Sequence, residues 1–198
     1  GADRASSASD GALTVESDHA CLAVVEVTED CNLSCSFCFA SAGPGGKQRS
    51  FEAVEDLLAT ASKDGPRPIQ FSGGEPTVRD DLPELVERAV EMGFEHIEAN
   101  TNGLRLAEED GYARRLADAG VTALYLQFDG LERETHLEIR EADILDHKHR
   151  AIEACRAARS GFVAVGPERR SCRPMPRSGT TRSASGVSTT SPARSAGT

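Results

Sequence analysis

Two kinds of hydrophobic spacing alternate along residues 19–165. Short runs of β-branched and apolar residues predict buried strands, and apolar residues three to four positions apart predict amphipathic helices. The strands are predicted at residues 22–27, 68–71, 96–99 and 121–128, with a fifth beginning at 162–165. The helices between them are predicted at residues 51–62, 82–92, 107–119 and 144–158.

This regular alternation of strands and helices predicts an α/β fold. Strands that follow one another through helical crossovers form right-handed βαβ units and a parallel sheet. Chemistry in such sheets and barrels collects at the carboxyl ends of the strands. The polar and glycine-rich stretches of this chain lie there, at residues 28–39, 72–77, 101–103 and 127–130. We therefore expect one site along this rim.

The two ends of the chain differ from the middle. Residues 1–18 are rich in Ser, Ala, Gly and Asp and are predicted to be a disordered lead-in, and residues 19–166 form the patterned core. Residues 167–198 contain six arginines and one acid and lack hydrophobic periodicity, which predicts a disordered low-complexity tail. A sequence rich in Arg, Ser, Thr and Pro is typical of a GC-rich gene translated out of frame. We therefore expect a frameshift before this tail. The first residue is Gly1 rather than Met, so a fragment or processed product is expected.

Composition and charge exclude several classes of protein. Acids outnumber bases 32 to 22 for a net charge of −10, which argues against a nucleic-acid partner bound through its phosphates. No apolar run is long enough to span a bilayer, and no signal peptide opens the chain. We expect a cytoplasmic protein without a transmembrane segment.

Three of the six cysteines form a compact motif, Cys31-x3-Cys35-x2-Cys38. Disulfides do not explain three thiols within eight residues of one loop, whereas thiolates are ligands for soft metals. One interpretation is an iron–sulfur cluster that leaves one iron open. The alternative is a zinc module, for which the fourth ligand would come from His136, His147 or Cys155.

The motif directly follows a strand and resembles that of the radical S-adenosylmethionine (radical SAM) superfamily. Further resemblances stand at the ends of the next strands: a GGE-type motif, a TNG motif and a counterpart of Ser-Leu-Asp-Gly. They comprise Ser72-Gly73-Gly74-Glu75-Pro76, Thr101-Asn102-Gly103 and Gln127-Phe128-Asp129-Gly130, together with the aromatic Phe37. The resemblance implies an incomplete TIM-type βα barrel of four to five parallel units.

The resemblance also implies two cofactors and their ligands. Cys31, Cys35 and Cys38 would bind a [4Fe–4S] cluster, whose open iron chelates the methionine end of S-adenosylmethionine (SAM). Reductive cleavage of SAM then yields a 5′-deoxyadenosyl radical that abstracts hydrogen. The residues expected to bind SAM are Phe37 near the adenine, Ser72, Gly73, Gly74, Glu75 and Pro76 at the methionine, Thr101 and Asn102, and Gln127 and Asp129 at the ribose or carboxylate.

Two longer segments are more specific. Residues 23–40 and 125–154 are similar to archaeal members of the tetraether lipid synthase type, and relatives around molybdenum-cofactor biosynthesis share the same core. This similarity implies a lipid chain or a small molecule as substrate, with peripheral membrane association if the substrate is lipid. It also implies a ferredoxin or flavodoxin as reductant. The alternative is a truncated remnant that binds a cluster without catalysis.

Overall fold

A single parallel sheet with helices packed along one face organises the chain. The computed structural model describes residues 22–36, 38–63, 68–158 and the backbone of 163–165. The strands are β1 (Ala23–Thr28), β2 (Ile69–Gly73), β3 (Ile97–Thr101), β4 (Ala123–Leu126) and β5 (Val163–Val165). The helices are α1 (Phe51–Ser62), α2 (Leu82–Glu91), α3 (Leu104–Glu108), α4 (Tyr112–Ala119), α5 (Arg133–Arg140) and α6 (Leu145–Ala157).

The strands stand in chain order, β1-β2-β3-β4-β5, and every pair is parallel. Each connection between neighbouring strands therefore returns through a crossover that carries helix. This is the order of successive strands in a βα barrel, here as an open five-stranded part of one. The α/β class and the partial barrel predicted from the sequence are confirmed.

The hydrophobic core lies between the sheet and the helices. Val25, Phe71, Ala99 and Leu124 stand side by side across four strands and are buried. Side chains alternate between the faces of a strand, so every second residue of each strand joins this face. Apolar residues of α1, α2, α4 and α6 complete the cluster. The core thus fixes the sheet, and the sheet fixes where its strand ends lie.

One predicted helix is wrong in its bounds. Residues 107–119 do not form one helix, because α3 ends at Glu108 and α4 begins at Tyr112. Glu109 has an extended backbone and Gly111 a φ of +79°, a conformation that favours glycine. The apolar spacing continues through this break, since both helices bury residues against the same core, so periodicity alone conceals it.

Helix α5 is absent from the sequence-based prediction. Its one buried side chain is His136, and the rest of the helix is polar or exposed. A helix without an apolar stripe leaves no periodic signal. The segment after β4, for which the hydrophobic pattern predicts no element, therefore contains a helix whose last residue, Arg140, reaches the site described below.

The predicted lead-in, the tail and its proposed frameshift lie outside the described residues, as do Cys21 and Phe37. These predictions remain predictions. None of the helices in the described part of the chain has the length and hydrophobicity needed to cross a membrane. Cys155, one of the three candidate fourth ligands of a zinc site, is buried in the core.

The core predicts a large difference between two leucine truncations. Leu116→Ala in α4 removes a side chain with 0% exposure and is expected to lower the free energy of unfolding by about 2–5 kcal/mol. Leu137→Ala in α5 removes one that is 50% exposed and should change it by no more than about 0.5 kcal/mol. Urea unfolding of both variants measures the difference. Equal losses would contradict this assignment of the core.

Candidate functional site

The loop after β1 carries three free thiols, Cys31, Cys35 and Cys38, all partly exposed. They lie at the carboxyl end of the first strand, where the sequence predicts the site. Burial raises the pKa of Cys31 to about 11, although a hydrogen bond with the backbone of Leu33 opposes the rise. A metal that binds Cys31 would therefore have to displace its thiol proton.

N–H donors also point at the other two sulfurs. The guanidinium Nη1 of Arg140 lies 3.7 Å from the Sγ of Cys35, and the backbone N–H of Ala42 donates to the Sγ of Cys38 at 3.4 Å. Hydrogen bonds to sulfur stabilise thiolates and tune iron–sulfur clusters. The donor set therefore fits a thiolate-bound cluster. Within the described residues, no three His, Cys, Asp or Glu side chains form a group that could hold a single metal ion.

The two glycines at the end of β2 let the chain segments after β1 and β2 come into contact. The N–H of Gly74 donates to the carbonyl of Thr28 at 2.7 Å. A β-carbon on Gly73 would stand 2.2 Å from the carbonyl oxygen of Thr28, and one on Gly74 would stand 2.2 Å from that of Asp30. The sequence suggests that these glycines admit a ligand; the structure shows that they first admit the loop that begins the cysteine motif.

Glu75 is buried at the centre of the strand ends, with 1% exposure. Its Oε1 accepts from the N–H of Thr77 at 3.1 Å, the hydroxyl of Thr77 at 2.6 Å and the hydroxyl of Thr101 at 2.8 Å. Its Oε2 accepts from the N–H of Asn102 at 2.6 Å. Burial raises the pKa of Glu75, and these four donors oppose the rise. The carboxylate joins the ends of β2 and β3, a role that the sequence did not predict.

Asn102 connects these strand ends to the cysteine loop. Its side-chain Nδ2 donates to the Oδ1 of Asn32 at 2.7 Å, and Asn32 directly follows Cys31. Its Oδ1 accepts from the N–H of Leu104 at 3.0 Å, which starts α3. One asparagine therefore holds the cysteine loop, the Glu75 carboxylate and a helix start together. The Thr-Asn-Gly motif has a structural task here besides any contact with a ligand.

Lys148 is a site residue that sequence reasoning missed. Its side chain has 0% exposure, and its Nζ donates to the backbone carbonyl of Asn102 at 2.6 Å. Burial lowers the pKa of Lys148 to about 8. The negative charge of Asp129 opposes this decrease, and the positive charge of Arg140 adds to it. A signal was available, because Lys148 shares the apolar face of α6 with Leu145 at helical spacing.

Gln127 and Asp129 follow β4 on the same rim. The N–H of Gln127 donates to the carbonyl of Thr101 at 3.0 Å. Asp129 forms a two-pronged ion pair with Arg140, at 2.8 and 2.6 Å. Burial acts to raise the pKa of Asp129, but hydrogen bonding and the charge of Arg140 outweigh it and lower the pKa. Because Arg140 also reaches Cys35, the fourth strand end is linked to the cysteine loop.

The structure thus brings four strand ends into one hydrogen-bonded rim. Ser72 lies buried in β2 beside Glu26, and Pro76 is buried at the start of a 3-10 turn. Phe37 falls outside the described residues. The sequence did not predict Arg140, because its helix has no apolar stripe. It did not predict the role of Asn32 either, because its hydrogen-bond partner, Asn102, lies 70 residues away in the chain.

The chain is similar to proteins of known family and function. The profile of the radical SAM superfamily matches residues 25–167. A 7,8-dihydro-6-hydroxymethylpterin dimethyltransferase of Methanocaldococcus jannaschii is 43% identical over 148 residues, covering 73% of this chain and 29% of that protein. A probable GTP 3′,8-cyclase of Methanothermobacter thermautotrophicus is 36% identical over 123 residues, covering 62% of this chain and 39% of that protein.

Solved structures share the fold. Streptococcus suis SuiB bound to S-adenosylmethionine matches with a TM-score of 0.59 at 19% identity, over 73% of this chain and 31% of that chain. The maturase HydG of Carboxydothermus hydrogenoformans matches with a TM-score of 0.61 at 17% identity, over 73% and 35%.

The parallel strands and the three thiols after β1 are typical of a βα-barrel protein that binds an iron–sulfur cluster. The chain belongs to the radical SAM superfamily, since the superfamily profile covers most of it. Enzymes of this superfamily use a [4Fe–4S] cluster and SAM. The chain spans less than half the length of the two relatives named above.

The buried ammonium predicts a pH-dependent stability. The pKa of Lys148 falls from 10.5 to about 8 on folding, so between these values the unfolded chain holds a proton that the folded chain has lost. The wild type should therefore gain about 3 kcal/mol relative to Lys148→Met as the pH rises through this range. Below pH 8 the difference should be constant. Urea unfolding under reducing conditions at pH 8 and pH 10.5 measures it.

Lys63→Met is the matched control, because Lys63 is exposed at the end of α1. An equal gain for both variants would contradict the burial of Lys148. A pH-independent difference for Lys148→Met would show that the ammonium is not buried in the folded protein.

Proposed function

We propose that this chain is the SAM-cleaving part of a radical SAM enzyme, with its [4Fe–4S] cluster on Cys31, Cys35 and Cys38. The cluster and SAM together supply a 5′-deoxyadenosyl radical for hydrogen abstraction. The observation that carries the proposal is the bond between Asn102 and Asn32, because it ties the cysteine loop to the neighbouring strand ends.

The rim residues would bind and orient SAM. The backbone of Gly73 and Gly74 stands beside the start of the cysteine loop, which suits the methionine end of SAM. Glu75 would act by holding Asn102 and Thr101 in place, since its oxygens already accept four hydrogen bonds. Phe37, Ser72, Pro76, Gln127 and Asp129 remain proposed SAM contacts.

The substrate is proposed to be a small nitrogen heterocycle. The relatives named above act on a dihydropterin and on GTP, according to their names. The pterin and guanine rings share a 2-amino-4-oxopyrimidine ring. A lipid chain, one of the two kinds of substrate expected from the sequence, has no counterpart in those two names. We therefore place the chain with enzymes that build cofactors, and a ferredoxin or flavodoxin would supply the electron.

Anaerobic reconstitution separates this proposal from a non-catalytic remnant. After reduction with dithionite, the reconstituted chain should convert SAM to methionine and 5′-deoxyadenosine. A chain that assembles the cluster but forms neither product would be the remnant considered from the sequence.

Loss of any one cluster ligand should remove most of the iron. Cys31→Ala, Cys35→Ala and Cys38→Ala each leave an incomplete thiolate set, and ligands of one cluster act as a unit. Cys155→Ala is the matched control, because Cys155 lies in the core and should not affect iron content. Iron per chain after anaerobic reconstitution measures both. Full iron retention in any of the three variants would overturn the ligand assignment.

Glu75→Gln should weaken SAM binding while sparing the cluster. The NH2 group of the glutamine would face a donor from which the carboxylate now accepts a hydrogen bond. Two facing donors cannot form that bond, so Thr101 and Asn102 would be displaced. The loss is expected to be about tenfold to a hundredfold in Kd, equivalent to about 1.5–3 kcal/mol. Glu84→Gln, on the exposed face of α2, should bind SAM as the wild type does. Unchanged affinity in Glu75→Gln would refute its positioning role.

A further inference from the structure

A positive charge stands beside one thiol of the cysteine motif. In the described part of the chain, Arg140 is the one charged side chain with a hydrogen bond to a motif cysteine, its Nη1 lying 3.7 Å from the Sγ of Cys35. The contact of Cys38 comes instead from the main-chain N–H of Ala42. A guanidinium is protonated at any working pH, so the charge at Cys35 is permanent.

The ion pair with Asp129 determines which edge of the guanidinium faces the sulfur. Nε and Nη2 of Arg140 donate to the two carboxylate oxygens at 2.8 and 2.6 Å, and such two-pronged pairing fixes the plane of the group. With that edge engaged, Nη1 is directed at Cys35. The side chains of Arg140 and Asp129 are 17% and 13% exposed, so water and salt screen their charges only weakly.

A second polar contact holds helix α5 against the same strand end. The buried ring of His136 donates from Nε2 to the backbone carbonyl of Gly130 at 2.9 Å, and it packs edge-on against Phe128. His136 and Arg140 are four residues apart, so they lie on the same side of the helix. The contact that anchors His136 therefore also brings Arg140 to the cysteine loop.

The position of this charge bears on electron transfer to a cluster bound by these thiols. Reduction of the cluster adds one electron and therefore one negative charge. A nearby positive charge stabilises the reduced state more than the oxidised state, because the attraction grows with the negative charge that it faces. Hydrogen bonds to the sulfurs are among the factors that set the reduction potential of iron–sulfur clusters.

We propose that Arg140 raises the reduction potential of the cluster through its contact with Cys35, and that Asp129 is the positioning residue that directs Arg140 there. The electron comes from the ferredoxin or flavodoxin proposed above, and the higher potential makes its transfer more favourable. Arg140 acts through Cys35 and requires no contact with SAM or substrate. The inference rests on the proposed function, because it concerns the cluster assigned to Cys31, Cys35 and Cys38.

Potentiometric titration of the reconstituted full chain tests the proposal. The electron paramagnetic resonance signal of the reduced cluster reports its midpoint potential, and SAM is left out so that its binding does not contribute. Arg140→Met should lower the equilibrium constant for reduction about tenfold, which corresponds to a midpoint about 59 mV more negative for one electron. Arg140→Lys keeps a positive charge and should shift the midpoint less. An unchanged midpoint in Arg140→Met, or equal shifts in both variants, would overturn the proposal.

Arg133→Met is the matched control. Arg133 belongs to the same helix and also forms ion pairs, with Asp143 and Asp146 at 2.8 Å, but it is 47% exposed. Its midpoint potential should equal that of the wild type. A shift as large as that of Arg140→Met would show that loosening of α5, and not the charge at Cys35, changes the potential.

Iron per chain distinguishes an effect on potential from an effect on assembly. All three variants keep the three thiolates and should bind as much iron as the wild type. Loss of iron in both Arg140 variants would overturn the proposal, because Arg140 would then be needed to form the cluster.

The same preparations separate this inference from the proposed function. If the wild type cleaves SAM but Arg140→Met has the wild-type midpoint, the inference fails and the proposed function stands. If the midpoints shift as expected but the wild type forms no 5′-deoxyadenosine, the proposed function fails and the role of Arg140 stands.

Discussion

The buried carboxylate of Glu75 is the interaction on which the rest of the site depends. Removing a carboxylate from water is costly unless hydrogen bonds compensate, and here four donors offset part of that cost. These donors come from two different loops, so the ion can be accommodated only when both loops stand in one arrangement. The positions of Thr101 and Asn102 follow from that requirement, and Asn102 in turn holds the cysteine loop through Asn32.

Backbone contact between loops adds a second constraint. Gly73 and Gly74 stand where any side chain would collide with Thr28 or Asp30, so the ends of β1 and β2 touch through main chain alone. Lys148 joins helix α6 to the same strand ends, because its ammonium donates to the backbone carbonyl of Asn102. These contacts hold the strand ends in one arrangement, and a preorganised site lowers the entropic cost of binding a cofactor.

The two faces of the sheet differ in polarity. One face is apolar and supplies the stability of the fold through its packing against the helices. The other is polar and open, with amides and Glu98 joined across neighbouring strands. Because side chains alternate along every strand, a single set of strands carries both surfaces. The rim at the strand ends joins them, since Gln127 belongs to the open face and also donates its N–H to Thr101.

The sequence by itself determined the order of strands and helices, the parallel sheet and the position of the three cysteines. These depend on hydrophobic periodicity and on local motifs, which a linear chain displays directly. Only the tertiary structure decided the partners of Glu75, the contact between Arg140 and Cys35, and the burial of Lys148. Such contacts join residues far apart in the chain, and they depend on how loops and helices pack, which periodicity does not encode. Helix α5 shows the same limit, because a helix that buries one histidine has no apolar pattern to be recognised.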